Sequence, residues 1–177
     1  LGKTLIVVYA PCKAWYYPEY IPAKLQRTNM LPNNYKTCKR IGDSIGIDQI
    51  DYNSVYLAMK DTARELLYAK LGIHWTNYGS ILGIDSIIHY IERKRKIVMP
   101  HPYWIKTEHT TTARIPDNDM ADIANLIFPM AIETYCYPEI LYKVDSNTAK
   151  PKAIFIGDSY NINFIRTGIL NNIFTDW

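Results

Sequence analysis

Residues 152–160, KAIFIGDSY, constrain the fold of this chain more than any other stretch. The apolar run 153–156 has the length of a buried strand. Gly157 permits a sharp turn, and Asp158 and Ser159 follow it. Apolar residues then resume at helical spacing: Ile162, Phe164, Ile165, Ile169 and Leu170. The pattern predicts a strand, a tight turn and a serine at the start of a helix.

A serine in this position has two interpretations. Its hydroxyl is exposed at the end of a sheet, beside backbone amides that can stabilise an oxyanion, as in hydrolases with a nucleophilic serine. Gly-Asp-Ser is also an ordinary turn and helix-capping sequence. The same tripeptide occurs at residues 42–44, but there the preceding residues 37–40 are polar and basic. We therefore expect Ser44 to lie in a loop.

Length and composition limit the class of protein. The chain has 177 residues, of which 48% are hydrophobic, and this suits one domain spanning residues 1–177. A formal net charge of +3 is too small to indicate a nucleic-acid partner. No run reaches the roughly 18 apolar residues of a membrane helix. The chain begins with Leu1 rather than Met, so we expect an excised piece whose leader is missing.

Patterns typical of strands and of helices alternate along the chain. Residues 5–10, LIVVYA, predict a strand buried on both faces, and residues 76–94 predict a helix capped by Thr76. The other predicted segments are short helices at 23–30, 54–67 and 117–127, and an irregular stretch at 33–46. The alternation indicates an α/β fold with a mainly parallel sheet.

A nucleophilic serine needs a base within hydrogen-bond reach, and His is the usual one. The chain contains four histidines, His74, His89, His101 and His109. His74 is the best placed, because it follows a short apolar run and directly precedes a helix. The four show no helical or short-loop pairing, and the three cysteines, Cys12, Cys38 and Cys136, are widely spaced. We predict no metal site and no cofactor, and the disulfide status of the cysteines stays open.

Several segments together resemble the SGNH-hydrolase-like domain of the AlgX/AlgJ alginate O-acetyltransferase family. The serine turn IFIGDSY is one of them, and YAKLGIHWTNYGS at 68–80 is similar to that family's His-Trp-Thr motif. The others are KAWYYPEYIP at 13–22 and PDNDMADIANLI at 116–127. The resemblance spans most of the chain and implies a three-layer, flavodoxin-like SGNH domain.

By this resemblance Ser159 carries the acyl group and His74 is its general base. Gly157 and Asp158 form the turn beside the oxyanion. The implied partners are a carbohydrate polymer and an acyl donor, with a membrane acyltransferase as one candidate source, and the implied location is the periplasm or cell surface. No nucleic acid is implied.

The sequence departs from the family pattern in two places. The family's acid stands two residues before the His, where this chain has Gly72. Asp158, Asp85, Asp48 and Asp51 are alternative acids, and a dyad held by a backbone carbonyl is a further alternative. The chain also ends one helix after Ser159, whereas related domains continue, so we expect either a C-terminal truncation or a sheet without those strands.

Two functions therefore stay open. The first is a serine-dependent O-acetyltransferase or acetylesterase that acts on an exported polysaccharide. The second is a weak or inactive carbohydrate-binding or assembly module that keeps the fold, with aromatic residues stacked on sugars: Trp15, Tyr16, Tyr17 and Trp104.

Overall fold

The structure is a computed structural model that describes residues 2–26, 33–125, 127–128 and 133–177. It divides into two compact units, Leu1–Thr62 and Ala63–Trp177. Both proposed site residues, His74 and Ser159, belong to the second unit. That residues 1–177 form a single domain stays a prediction.

The first unit contains a two-stranded parallel sheet. Strand β1 (Ile6–Tyr9) pairs with β2 (Asp48–Asp51), with Ile6 opposite Asp48. The predicted first strand is confirmed, but its burial on both faces is wrong, because the Val8 side chain is 38% exposed. The helices of this unit are α1 (Lys13–Tyr16), α2 (Asn34–Ile45) and α3 (Tyr52–Met59), with 3₁₀ turns at Pro18–Tyr20 and Ala23–Leu25. The predicted helix at 23–30 is a 3₁₀ turn at its start, and its residues 27–30 lie outside the described residues.

Helix α2 corrects the expectation of an irregular stretch at 33–46. The Asn33 side chain accepts a hydrogen bond from the Lys36 amide at 2.9 Å, which caps the first turn. Gly46 ends the helix at φ 71°, a left-handed conformation that glycine adopts readily. Ser44 therefore lies in a helix rather than a loop, and its hydroxyl donates to the Ile41 carbonyl at 2.7 Å.

The second unit is built on its longest helix, α4 (Asn77–Arg95). The predicted cap is confirmed, since the Thr76 hydroxyl accepts a hydrogen bond from the Gly79 amide at 3.0 Å. Aliphatic residues of this helix and of the last helix of the chain are buried: Ile81, Ile84, Ile87, Ile88, Ile169, Leu170 and Ile173. Each such side chain contributes about 1.5–3 kcal/mol when fully buried.

Two antiparallel strand pairs and three short helices complete this unit. Strand β3 (His101–Tyr103) pairs with β6 (Leu141–Lys143), and β4 (Thr107–Thr110) pairs with β5 (Tyr135–Pro138). The helices are α5 (Asp119–Ala124), α6 (Ile162–Arg166) and α7 (Ile169–Ile173). Across the described residues the strands form three two-stranded sheets, one parallel and two antiparallel. A three-layer, mainly parallel sheet is not seen there and stays a prediction.

Residues 153–156 do not form the buried strand that their apolar run predicted. Ile154 is 88% exposed and Ile156 is 95% exposed. Lys152 forms only an isolated bridge with Asp176. The predicted turn into helical structure is present, as a 3₁₀ turn at Ser159–Asn161 that leads into α6, and Gly168 at φ 64° separates α6 from α7. An apolar run shows only which residues are present. Whether they are buried depends on other segments that pack against them, and a local pattern does not reveal those segments.

Candidate active site

Ser159 and His74 lie within hydrogen-bond distance although they are far apart in sequence. The Ser159 Oγ is 2.7 Å from the His74 Nε2. Ser159 is exposed, whereas His74 is only 8% exposed. The serine is thus open to a substrate while the imidazole is held in the protein.

A carboxylate completes the arrangement on the other side of the imidazole. The His74 Nδ1 is 2.5 Å from the Asp119 Oδ2. The second carboxylate oxygen of Asp119 accepts the Ile73 backbone N–H at 2.7 Å. The acid therefore binds both the histidine side chain and the backbone just before it, which fixes the ring orientation. Ser159, His74 and Asp119 form the arrangement of a serine triad.

The histidine is placed by a tight loop between residues 67 and 76. Tyr68 and Trp75 form an antiparallel bridge, and the Thr76 amide donates to the Leu67 carbonyl at 2.9 Å. The Thr76 hydroxyl donates to the Leu66 carbonyl at 2.6 Å. Because the same threonine caps α4, the start of that helix fixes the end of the loop that carries His74.

The serine turn is held against this loop by hydrogen bonds from both sides. The Trp75 indole N–H donates to the Tyr160 carbonyl at 3.2 Å, and the Tyr160 hydroxyl donates to the Ile73 carbonyl at 3.2 Å. The Asn163 side chain donates to the Trp75 carbonyl at 3.4 Å. The Tyr160 ring packs edge-on against the His74 ring, with centroids 4.9 Å apart. These contacts join Tyr160 and Asn163, which follow Ser159, to the residues on either side of His74, so the two side chains are brought together by their neighbours.

The segment that carries Asp119 is attached to the other side of the loop. The Met120 amide donates to the Leu71 carbonyl at 2.9 Å. The Asp117 carboxylate accepts the Asn77 backbone N–H at 3.1 Å and the Asn77 side-chain amide at 3.2 Å. The start of α5 is therefore fixed at two points that flank His74 in sequence.

Comparison with known proteins shows the family to which this chain belongs. The sequence model of the family described as "SGNH hydrolase-like domain, acetyltransferase AlgX" matches residues 1–165. The chain belongs to this family. The expected resemblance to the AlgX/AlgJ domains is confirmed.

A solved structure supports the same fold. The O-acetyltransferase domain of Pseudomonas putida AlgJ is similar to this AlgX-family chain, with a TM-score of 0.52 and 19% sequence identity. The match covers 80% of this chain and 50% of the AlgJ chain, so the protein spans about half the length of that solved relative. No curated protein sequence matches. At this identity the likeness shows an SGNH-like fold.

Asp119 was not among the acids that the sequence analysis considered. The AlgX-family pattern places the acid at the position of Gly72, but a Cβ atom there would lie 2.9 Å from the Asp117 carbonyl oxygen. The backbone of residues 116–117 fills the space that a side chain at 72 would need. The same segment leads into Asp119, so the acid comes from the chain that packs against Gly72. The only sequence signal was the position of Asp119 in the segment 116–127 that resembles the family.

The four acids that were considered have other partners in the structure. The Asp158 carboxylate accepts the Tyr160 amide at 3.0 Å and caps the serine turn. Asp85 binds His101 at 2.7 Å. Asp51, whose carboxylate accepts the Ser54 hydroxyl at 2.7 Å, belongs with Asp48 to the first unit. As alternative acids beside His74 all four are wrong, because Asp119 contacts the imidazole Nδ1.

The Asp117 carboxyl group, close to the triad, has a raised pKa. Burial raises its pKa to about 6, against the opposing effect of the hydrogen bonds from Asn77. The nearby Asp119 carboxylate raises the pKa further. Asp117 is only 2% exposed. Asp117 therefore anchors the segment before Asp119 to Asn77. Its burial disfavours the ionised form of its carboxyl group.

The serine turn is exposed at the surface of the second unit. A cavity of about 400 Å³ in the second unit is lined by residues that include Arg114, Tyr137 and Arg166, and by none of the triad residues. The Ser159 hydroxyl is reached from the surface instead. The two other expected turn residues, Gly157 and Asp158, are exposed as well.

All three cysteines, Cys12, Cys38 and Cys136, are free thiols. Among the described helices, none combines the length and the apolar character that crossing a bilayer requires.

Proposed function

We propose that this chain is a serine-dependent O-acetyltransferase or acetylesterase with Ser159 as nucleophile, His74 as general base and Asp119 as the orienting acid. The observation that carries the proposal is the continuous hydrogen-bonded path from the Ser159 Oγ through both His74 nitrogens to the Asp119 carboxylate. The family description, which names an acetyltransferase, supports the same reaction class.

The first half of the reaction forms an acetyl-serine. The Ser159 Oγ attacks the carbonyl carbon of an acetyl ester while its proton passes to the His74 Nε2. The tetrahedral intermediate then expels the donor's alkoxide oxygen, which takes the proton from the His74 Nε2. In the second half, a sugar hydroxyl or a water gives its proton to the His74 Nε2 and attacks the acetyl-serine. The bond between the acetyl carbon and the Ser159 Oγ then breaks, and Oγ takes the proton back from His74.

Asp119 stabilises the imidazolium that forms in each half. In the proposed mechanism the His74 Nδ1–H donates to the Asp119 Oδ2, 2.5 Å away, so that the Nε2 lone pair faces the serine. The Ile73 amide holds the other oxygen, which keeps the carboxylate from rotating away. In serine triads the loss of this orientation lowers turnover by about 10⁴-fold.

The Ser159 backbone amide is the proposed donor to the oxyanion. Among the described residues this N–H makes no hydrogen bond. The next amide, of Tyr160, is already bound to the Asp158 carboxylate. Asp158 thus shapes the turn, and Gly157 is the other residue proposed for the oxyanion region.

A carbohydrate polymer is the proposed acceptor. The exposed serine suits a chain that passes along a surface. We further propose an exported polysaccharide at the periplasm or cell surface, with the acyl group delivered by a separate donor such as a membrane acyltransferase.

Turnover of a small activated acetyl ester, measured with and without a hydroxyl-rich oligosaccharide, tests the reaction class. We expect acetate release by the wild type, loss of turnover in Ser159→Ala and His74→Ala, and full turnover in Ser44→Ala. An acetylated oligosaccharide identifies a transferase, and acetate alone identifies an esterase. Equal turnover in wild type and Ser159→Ala would overturn the proposal.

The non-catalytic binding module is the second candidate. It was motivated by the missing acid at Gly72, and Asp119 now supplies a carboxylate to His74. Oligosaccharide binding by a folded wild type that never releases acetate would favour it.

A further inference from the structure

A second cluster of chemically active side chains lies on α4, away from the triad residues in sequence. Asp85 and His89 are one helical turn apart, and His101 begins β3. One ligand atom from each of the three lies within 4.8 Å of the other two. Three side chains from two elements thus converge on one point.

The cluster is held by hydrogen bonds. The His101 Nδ1 is 2.7 Å from one Asp85 carboxylate oxygen. The His89 Nδ1 donates to the Asp85 backbone carbonyl at 2.9 Å and lies 3.4 Å from the other carboxylate oxygen. The two imidazole rings are 4.3 Å apart. His89 is exposed and His101 is half-buried, so an ion reaches the cluster directly from solvent.

Glu92 supports His101 from outside the cluster. Its carboxylate lies 3.0 Å from the His101 Nε2 and also accepts the Met99 amide at 2.8 Å. The backbone contact fixes the carboxylate, and the carboxylate fixes the ring with its Nδ1 toward Asp85. A carboxylate on the far nitrogen of a ligating histidine is the usual outer support of metal sites.

We propose that Asp85, His89 and His101 bind a divalent transition-metal ion, with zinc as the ion that this donor set suits best, and that Glu92 orients His101 for it. Two imidazoles and one carboxylate are typical zinc ligands and leave a fourth position for water. On binding, the ion replaces the proton between the His101 Nδ1 and Asp85, and that proton is released to solvent. His89 binds as the neutral ring through Nδ1, so the proton that Nδ1 gives to the Asp85 carbonyl moves to Nε2 by exchange with water. The Nε2–H of His101 stays on Glu92.

The bound ion links two elements that the chain connects only through residues 96–100. Asp85 and His89 belong to α4, and His101 belongs to the strand pair β3 and β6. This site is not expected from the sequence when histidines are compared only with one another. The pairing that matters is a helical Asp–His pair completed by a distant histidine.

One other group in the described residues offers similar atoms, and it serves as an internal control. Glu65, His109 and Cys136 also lie within 4.8 Å of one another. This second group contains a buried thiol, whereas the proposed site has only nitrogen and oxygen donors. A cobalt ion bound to a thiolate gives an intense charge-transfer band in the near ultraviolet, and a site with nitrogen and oxygen ligands does not.

Calorimetric titration of Zn²⁺ into the metal-stripped chain tests the proposal. We expect one equivalent to bind in wild type and in His109→Ala, and that equivalent to be lost in both His89→Ala and His101→Ala. Glu92→Gln should weaken binding by about 10–100-fold, because it removes the charge that supports His101. His89 is exposed, so its alanine variant keeps the fold, which circular dichroism checks.

Titration with Co²⁺ gives an independent answer. We expect visible ligand-field bands in wild type and His109→Ala without the thiolate band, and neither in His89→Ala. Three results would overturn the proposal: no Zn²⁺ binding by the folded wild type, binding unchanged in His89→Ala and His101→Ala, or a thiolate band that disappears in His109→Ala. Each of these would leave Asp85, His89, Glu92 and His101 as a set of ion pairs.

Discussion

Asp119 is the residue on which the proposed chemistry most depends after the serine and the histidine. Its two oxygens bind different parts of the same segment, the His74 ring and the Ile73 amide. A single side chain thus holds both the imidazole ring and the backbone next to it. Its removal should affect turnover far more than folding.

Asp119→Asn should lower kcat for acetyl-ester turnover by about 10⁴-fold, because the histidine loses its orientation and the imidazolium loses its counter-charge. The matched control is Asp122→Asn, which changes an exposed carboxylate one turn later in α5. Steady-state kinetics of both variants, beside their melting temperatures, give the comparison. Turnover of Asp119→Asn equal to that of Asp122→Asn would remove Asp119 from the mechanism.

Gly72 is required by a close approach of backbone. The Cβ of Gly72→Ala would lie 2.9 Å from the Asp117 carbonyl oxygen and 3.1 Å from that of Pro116. Both are backbone atoms, so the segment before Asp119 must shift. We expect a loss of about 1–3 kcal/mol in the free energy of unfolding, as for overpacked sites, together with lower turnover. If Gly72→Ala has the same free energy of unfolding as wild type in denaturant, the segment before Asp119 can accommodate a side chain at residue 72.

Asp117 should give the protein a pH-dependent stability of unusual sign for a carboxyl. With a pKa raised from 3.8 to about 6 by burial, the native state holds a proton that the unfolded state has released. Between these values the native state binds more protons, so stability falls as pH rises. The shift corresponds to about 3 kcal/mol.

Comparison with Asp117→Asn isolates this contribution, because the variant has no proton to exchange there. Urea unfolding from pH 4 to pH 7 should show the variant gaining stability relative to wild type as pH rises. A constant difference across that range would mean that Asp117 titrates normally.

At the scale of elements, the loop 67–76 organises the site. It is followed by α4, tied to the serine turn through Trp75 and Tyr160, and tied to α5 through Leu71 and Met120. The Thr76 cap and the apolar spacing of α4 are local signals, so the sequence was sufficient to predict that helix. Asp119 lies 45 residues from His74, and no local pattern relates the two.

The extended segment before Ser159 was the clearest failure of pattern reading at this scale. Ile154→Ser and Ile156→Ser should each change the free energy of unfolding by less than about 0.5 kcal/mol, because both side chains are exposed. Ile169→Ala, at a buried position of α7, should cost about 2–5 kcal/mol. Thermal unfolding of the three variants distinguishes an exposed segment from a buried strand. In a buried strand, Ile154→Ser and Ile156→Ser would also lower the free energy of unfolding substantially.

At the scale of the whole molecule, family membership and site geometry both support the proposed reaction class. The AlgX-family match covers residues 1–165, and the AlgJ domain shares the fold at 19% identity. The resemblance could be found from the sequence because its motifs are short and ordered along the chain. The division into two compact units and the source of the acid depend on packing between distant segments, which no motif encodes.

The most direct test of the account is intact-mass analysis after incubation with a serine-directed fluorophosphonate. We expect a single adduct on wild type, on Ser44→Ala and on Asp122→Asn, with no adduct on Ser159→Ala and strongly slowed labelling of His74→Ala and Asp119→Asn. Peptide mapping should place the adduct on Ser159. A folded wild type that takes no label, or one labelled at another residue, would contradict the claim that Ser159, His74 and Asp119 act together as a catalytic triad.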